Sequence, residues 1–215
     1  MILQQQTHAA IWGWADAGKS IAIKASWGTM ASTKAGKDGR WKLFLKTPGP
    51  GTGHTLQVKG SNQIQIKDVA IGEVWLCVGQ SNMGWSVANS FEAEKESEVD
   101  LPQLRIFKSA REHWHEPLTE NRDRLSRWKR CDPKSAAETS AVAYYFGKKL
   151  HEELKIPVGI IQRAYAGTPI EGWMPWNIQK DDPRAQAHMQ RLIDFAERRR
   201  RNQGESTEKA LAMFE

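Results

Sequence analysis

Near Asp68 the hydrophobic pattern of this chain changes period, and that change divides it into two kinds of structure. From about Ile11 to Asp68 the apolar residues alternate: Ile21 with Ile23, then Trp41, Leu43 and Leu45, then Leu56 with Val58 and Ile64 with Ile66. A period of two places such residues on one face of a strand. Turn-forming runs separate the strands: Asp38-Gly39, Pro48-Gly49-Pro50-Gly51 and Gly60-Ser61-Asn62. Short alternating strands predict an antiparallel β-sandwich with one solvated face. Beyond Asp68 the run Val74-Trp75-Leu76-Cys77-Val78 is continuously apolar, as expected of a parallel strand buried on both faces. Ser135-Ala136-Ala137-Glu138 has the pattern of a capping box. Behind it Val142, Tyr145, Phe146, Leu150 and Leu154 recur at helical spacing, and Pro157 ends the helix. Val158 to Ile161 reads as the next buried strand, so strand, helix and strand form a parallel crossover. The expected fold class is α/β. Residues 1–68 form the antiparallel β-sandwich, and 69–215 form the first part of a domain with a parallel sheet.

Composition removes several function classes. With 40% hydrophobic and 26% charged residues the chain is globular rather than disordered. Its net charge of +6 owes much to the run Arg198 to Arg201, better explained as a solvated helix face than as a phosphate-binding stripe. No nucleic-acid partner is expected. No apolar run approaches the roughly 20 residues of a membrane-spanning helix. Met1-Ile2-Leu3-Gln4-Gln5-Gln6 has no basic stretch followed by an apolar one, so no signal peptide is visible. Cys77 and Cys131 are too few for a disulfide framework, and their spacing leaves pairing open. The ten tryptophans, Trp12, Trp14, Trp27 and Trp41 among them, suit a sandwich core and a sugar-stacking groove equally well.

Two segments carry chemistry. The apolar run to Val78 leads straight into Gly79-Gln80-Ser81-Asn82. Ligands of open parallel sheets bind beyond the carboxyl ends of the strands. A serine on a tight turn there exposes its hydroxyl near a helix N-terminus, although Ser and Asn are also ordinary helix caps. The strand Val158–Ile161 leads into Ala164-Tyr165-Ala166-Gly167-Thr168-Pro169-Ile170-Glu171-Gly172-Trp173. The Gly167 N–H is a candidate oxyanion donor, a contact typically worth about 3 kcal/mol of barrier. The same segment also reads as a plain turn with Pro169 opening a helix.

Taken together, Val74 to Met83 with Trp85, and Ala166 to Trp173, closely resemble the sialate O-acetylesterases, which are SGNH-type hydrolases. Met1-Ile2-Leu3-Gln4, Ile11-Trp12-Gly13-Trp14-Ala15 and Gly39-Arg40-Trp41 resemble that family's leading β-domain. The resemblance spans Met1 to about Trp176. It implies a flavodoxin-like core and a Ser-His-Asp esterase acting on an acetylated carbohydrate, sialic acid first and acetylated plant polysaccharide second. Ser81 would be the nucleophile, and its own N–H would join that of Gly167 at the oxyanion. Gln80 and Asn82 would border that site, and Trp85 and Trp173 would wall the sugar site or fill core. No metal or cofactor is implied. The family implies a periplasmic or secreted location, and nothing indicates an oligomeric state. One departure is Ala166, where the family has glycine. Alanine is harmless there if its φ is negative.

The family's later blocks, Trp-Tyr-Gln-Gly-Glu and Asp-x-x-His, are not found: no aspartate here has a histidine three residues on. Asn202-Gln203-Gly204-Glu205-Ser206 imitates the first of these but lacks a preceding apolar strand. Neither His8, His54, His151 and His188 nor the His113/His115 pair is a convincing base. His-x-His lacks a spaced third metal ligand. The expectation is a partial reading frame, inactive by itself, rather than a degenerate relative. A non-enzymatic carbohydrate-binding fragment is the alternative from another class.

Overall fold

The computed structural model describes residues 1–96, 98–109 and 126–201. In chain order its strands and helices are β1 (Ile2–Gln4), β2 (His8–Trp14), β3 (Ser20–Ala25), β4 (Met30–Lys34), β5 (Arg40–Lys46), β6 (Gly51–Lys59), β7 (Gln63–Gly79), α1 (Ser81–Gly84), β8 (Leu101–Lys108), β9 (Lys129–Cys131), α2 (Pro133–Glu138), α3 (Ala141–Leu154), β10 (Val158–Ala164), α4 (Trp176–Gln179) and α5 (Pro183–Arg201).

The change of period falls inside one strand. β7 is 17 residues long. Between Gln63 and Ile71 it pairs antiparallel with β6, and between Glu73 and Gly79 it pairs parallel with β10. β1 lies parallel to it across Ala70–Gly72. The larger sheet runs β4-β3-β6-β7-β10-β8-β9, and β2 with β5 forms a separate antiparallel ribbon. The ribbon and the β3–β6–β7 end of the sheet enclose one core, which includes Ile21, Ile23, Leu43, Leu45, Leu56, Val69 and Ile71. A second core gathers Leu104, Ile106, Val158 and Ile160 under Ala136, Ala143 and Tyr144. The mixed α/β class with an antiparallel N-terminal part is therefore as expected.

At residue 68 the strand kinks. Asp68 adopts a left-handed φ of 56°, an uncommon conformation outside glycine that Asp tolerates better than most residues. Its carboxylate takes a two-pronged hydrogen bond from Arg105 of β8, at 2.6 and 2.8 Å, and Arg130 of β9 lies 3.3 Å away. The terminal amine of Met1 donates to its carbonyl at 3.0 Å. The kink is thus pinned to the parallel part of the sheet. β10 enters beside it through a close approach: a Cβ on Gly72 would stand 1.9 Å from the Pro157 carbonyl oxygen.

Three local expectations are corrected. Ser135 does not start the helix. It is the third residue of α2, capped by Asp132 in a reciprocal pair, and α3 begins afresh with Ser140 as its cap. The stripe expected to be buried on α3 is mostly outside: Val142, Tyr145, Phe146 and Leu154 are exposed, whereas Ala143, Tyr144 and Gly147 are buried. Ala143 and Gly147 let the helix lie close to the sheet, where a Cβ on Gly147 would sit 2.9 Å from Ile160 Cγ1, and Tyr144 is buried beside them with its hydroxyl donating to Glu96 Oε2 at 2.6 Å. Finally, Val74–Val78 is not buried on both faces. Cys77 points into the second core while Leu76 and Val78 on the opposite face are exposed.

Candidate active site

Parallel pairing of β7 with β10 brings the two candidate turns side by side. Gly79 is the register partner of Ala164, and the Tyr165 N–H donates to the Gly79 carbonyl at 2.9 Å. The segments holding Ser81 and Gly167 therefore leave neighbouring strand ends in the same direction. Gln80 joins them: its side-chain amide donates to the Thr168 carbonyl.

The first turn is tight because Gly79 has no side chain. A Cβ there would stand 3.1 Å from Met83 Cβ, which folds back over the strand end. Ser81 is the first residue of α1. Its hydroxyl is exposed and makes no hydrogen bond among the described residues. Asn82 is exposed beside it. The turn leans on the N-terminus of α3, where Ser140 Oγ donates to Met83 Sδ at 3.3 Å and the Ala141 N–H donates to the Trp85 carbonyl at 2.8 Å. Ser140 is itself held by Gln162 of β10, whose side-chain oxygen accepts the Ser140 N–H at 3.0 Å.

The second turn requires glycine. Gly167 has φ 76°, in the left-handed region, with nothing within 4 Å of a hypothetical Cβ. Ala166 is not among the positive-φ residues, so alanine is accommodated there without strain. Thr168 organises the rest: its hydroxyl donates to the Tyr165 carbonyl and accepts from Trp173 Nε1, each at 2.8 Å. Trp173 is thereby half-buried against the turn, while Trp85 is 58% exposed with Nε1 on the Asn89 carbonyl. Neither ring belongs to the two main cores.

A family model described as carbohydrate esterase, sialic acid-specific acetylesterase, matches residues 71–207, more than half of the chain. The chain belongs to that family. Sialate O-acetylesterase from Rattus norvegicus is 28% identical over 191 residues, 80% of this chain and 35% of its own length. The Homo sapiens enzyme of the same name is 29% identical over 196 residues, again 80% of this chain and 36% of the relative. A carbohydrate acetylesterase from Xanthomonas citri, known by crystal structure, superposes with a TM-score of 0.78 at 32% identity, covering 84% of this chain and 42% of that one. The chain thus spans about a third of the length of its curated relatives.

In this acetylesterase-family chain no described histidine hydrogen-bonds to Ser81. His54 is 3.4 Å from Ser26 Oγ and edge-on to Trp27, and His151 Nδ1 is 2.7 Å from the Ile156 carbonyl. His8 lies on β2 and His188 on α5. His113, His115 and the Asn202–Ser206 segment lie outside the described residues. Cys77 and Cys131 are both free and buried, and burial pushes the Cys131 thiol up to about 12. What sequence reasoning did not find is the Gln80–Thr168 bridge and the Ser140–Gln162 support. Both join positions far apart in the chain, and no local pattern announces them.

Proposed function

We propose that this chain carries the nucleophile and oxyanion-binding part of a carbohydrate O-acetylesterase, with sialic acid as the preferred sugar. Ser81 Oγ attacks the acetyl carbonyl while its proton passes to a histidine from outside the described residues. The tetrahedral oxyanion accepts hydrogen bonds from the N–H groups of Ser81 and Gly167, with Asn82 bordering the site. The bond to the sugar oxygen then breaks, that oxygen takes the proton from the histidine, and Ser81 is left acetylated. Water, deprotonated by the same histidine, attacks the acetyl-serine; the bond to Ser81 Oγ breaks, Oγ takes the proton back from the histidine, and acetate leaves. Trp85 and Trp173 flank the sugar.

The observation that carries this reading is the Gly79–Ala164 register, which sets the two turns on neighbouring strand ends. A serine without its base is a poor nucleophile. Residues 1–215 alone are therefore expected to release almost no acetate. The test measures acetate release from O-acetylated sialic acid and from acetylated xylan. It compares residues 1–215 with the same chain continued through any reading frame beyond Glu215, each with and without Ser81→Ala. Ser81-dependent turnover confined to the longer chain supports the proposal. Equal turnover by the short chain would mean that a base lies within it, and activity on neither ester would defeat the esterase reading. Preference for xylan would move the substrate assignment to plant polysaccharide.

A further inference from the structure

The β2–β5 ribbon contributes no residue to the strand-end site, yet its outer face is built like a binding surface. Along β2 the exposed residues are His8, Ala10, Trp12 and Trp14, and along β5 they are Arg40, Lys42, Phe44 and Lys46. In the pairing register Trp12 faces Lys42, Trp14 faces Arg40 and Ala10 faces Phe44. Cations and aromatic rings thus share one face, while Ile11, Leu43 and Leu45 take the inner face.

Core packing does not account for these rings. Trp12 is 46% exposed and Trp14 58%, standing edge to face with centroids 5.4 Å apart. Trp41, by contrast, packs against the inner core, and Gly13 makes room for its indole: a Cβ there would lie 2.8 Å from Trp41 Cζ2. Trp12, Trp14, Asp38, Arg40 and Lys42 border a shallow depression of about 580 Å³ that Gly13 and Trp41 also line. Arg40 is engaged there by Asp38, with Nε 3.9 Å from Oδ2, so the positive charge offered to a ligand rests on Lys42. Lys42 Nζ stands 5.1 Å from the centre of the Phe44 ring, so the rings and charges are interleaved.

We propose that this face is a second glycan-binding site, selective for acidic sugars. The apolar C–H face of a pyranose stacks on the exposed indoles of Trp12 and Trp14, and its carboxylate pairs with Lys42, the register partner of Trp12. An indole presents a large, rigid apolar plane at low entropy cost, which suits a ring-shaped ligand with one apolar face. The Lys42 ammonium adds selection by charge. The role is binding, not hydrolysis, and it holds whether or not Ser81 turns over.

The test is calorimetric titration of the 215-residue chain carrying Ser81→Ala with four probes: a sialic-acid trimer, a galacturonate hexamer, cellohexaose and an oligothymidylate. Saturable binding is expected for one or both acidic glycans, at least tenfold weaker for cellohexaose. Trp12→Ala/Trp14→Ala should weaken it at least tenfold and Lys42→Glu severalfold, each variant still melting cooperatively because neither indole belongs to the core. The two acidic probes tell a sialic-acid ligand from a uronic-acid ligand. No saturable glycan binding, or binding untouched by the double Trp variant, overturns the site. Equal affinity for cellohexaose overturns the charge selection, and tighter binding of the oligothymidylate overturns the glycan assignment. Self-association in sedimentation, lost in the double Trp variant, would instead assign the face to a second copy of the chain.

Discussion

The side-chain amide of Gln80 donates to the Thr168 carbonyl, tying together two turns whose residues lie 88 positions apart. This bond fixes the turn bearing Ser81 against the turn bearing Gly167, while the backbone pairing beneath it ends at Gly79 and Ala164. Under the proposed function the two turns supply the oxyanion donors, which act only at short, directed distances, so their relative placement matters as much as the identity of either residue.

Gln80→Ala should therefore impair chemistry more than substrate binding. In the protein that turns over, kcat is expected to fall about a hundredfold, the scale of a 1 Å misplacement, with KM changed only a few-fold. Gln80→Glu should behave alike, because a carboxylate cannot donate to the carbonyl. Steady-state kinetics on an acetylated sugar decides it, and a wild-type kcat in either variant removes the positioning role.

Gly167→Ala should cost about 1–2 kcal/mol, since an L side chain at φ 76° is strained even in open space. Ala166→Gly should leave acetate release within a few-fold of wild type, because Ala166 lies at negative φ. Denaturant melts and acetate release on the pair check both. Equal effects from the two substitutions would show that the left-handed position is not what the turn requires.

Asp68 and Arg105 give a prediction for pH. The Arg105 guanidinium holds the Asp68 carboxyl far below its ordinary 3.8. A carboxylate depressed in the folded state stabilises the fold above its unfolded value, and that contribution is lost as pH falls through and below 3.8. Arg105 is almost fully buried while Asp68 remains partly solvated. Asp68→Ala should cost about 2–3 kcal/mol at neutral pH, chiefly by stranding the buried guanidinium. The gap between wild type and Asp68→Ala should narrow in melts at successively lower pH. A gap that stays constant down to pH 3 would contradict the linkage.

The two faces of α3 give a stability contrast. Gly147→Ala should destabilise by about 1–3 kcal/mol through overpacking against Ile160 and Leu104. Val142→Ser on the opposite face should stay within about 0.5 kcal/mol. Urea unfolding of both variants is the measurement, and a reversed order would mean that the Val142 face of α3, not the Gly147 face, meets the sheet.

Local chemistry alone determined much of this protein. Alternation over Ile21–Ile23 and Trp41–Leu45 marked strands with a wet face, Pro157 marked the break after α3, and two apolar strands running into glycine-containing turns marked the candidate site. These are readable because strand and turn preferences act over a few residues. The tertiary structure decided which side of each element is covered. The period of α3 groups Val142, Tyr145 and Phe146 on one face, but Ala143 and Gly147 permit the closest approach to the sheet, and close packing put them inside. In the same way Trp12 and Trp14 went to solvent while Trp41 took the space left by Gly13. The meeting of Gln80 with Thr168 also depended on β10 lying directly beside β7. Periodicity fixes which residues share a face; only packing between distant segments decides whether that face meets protein or water.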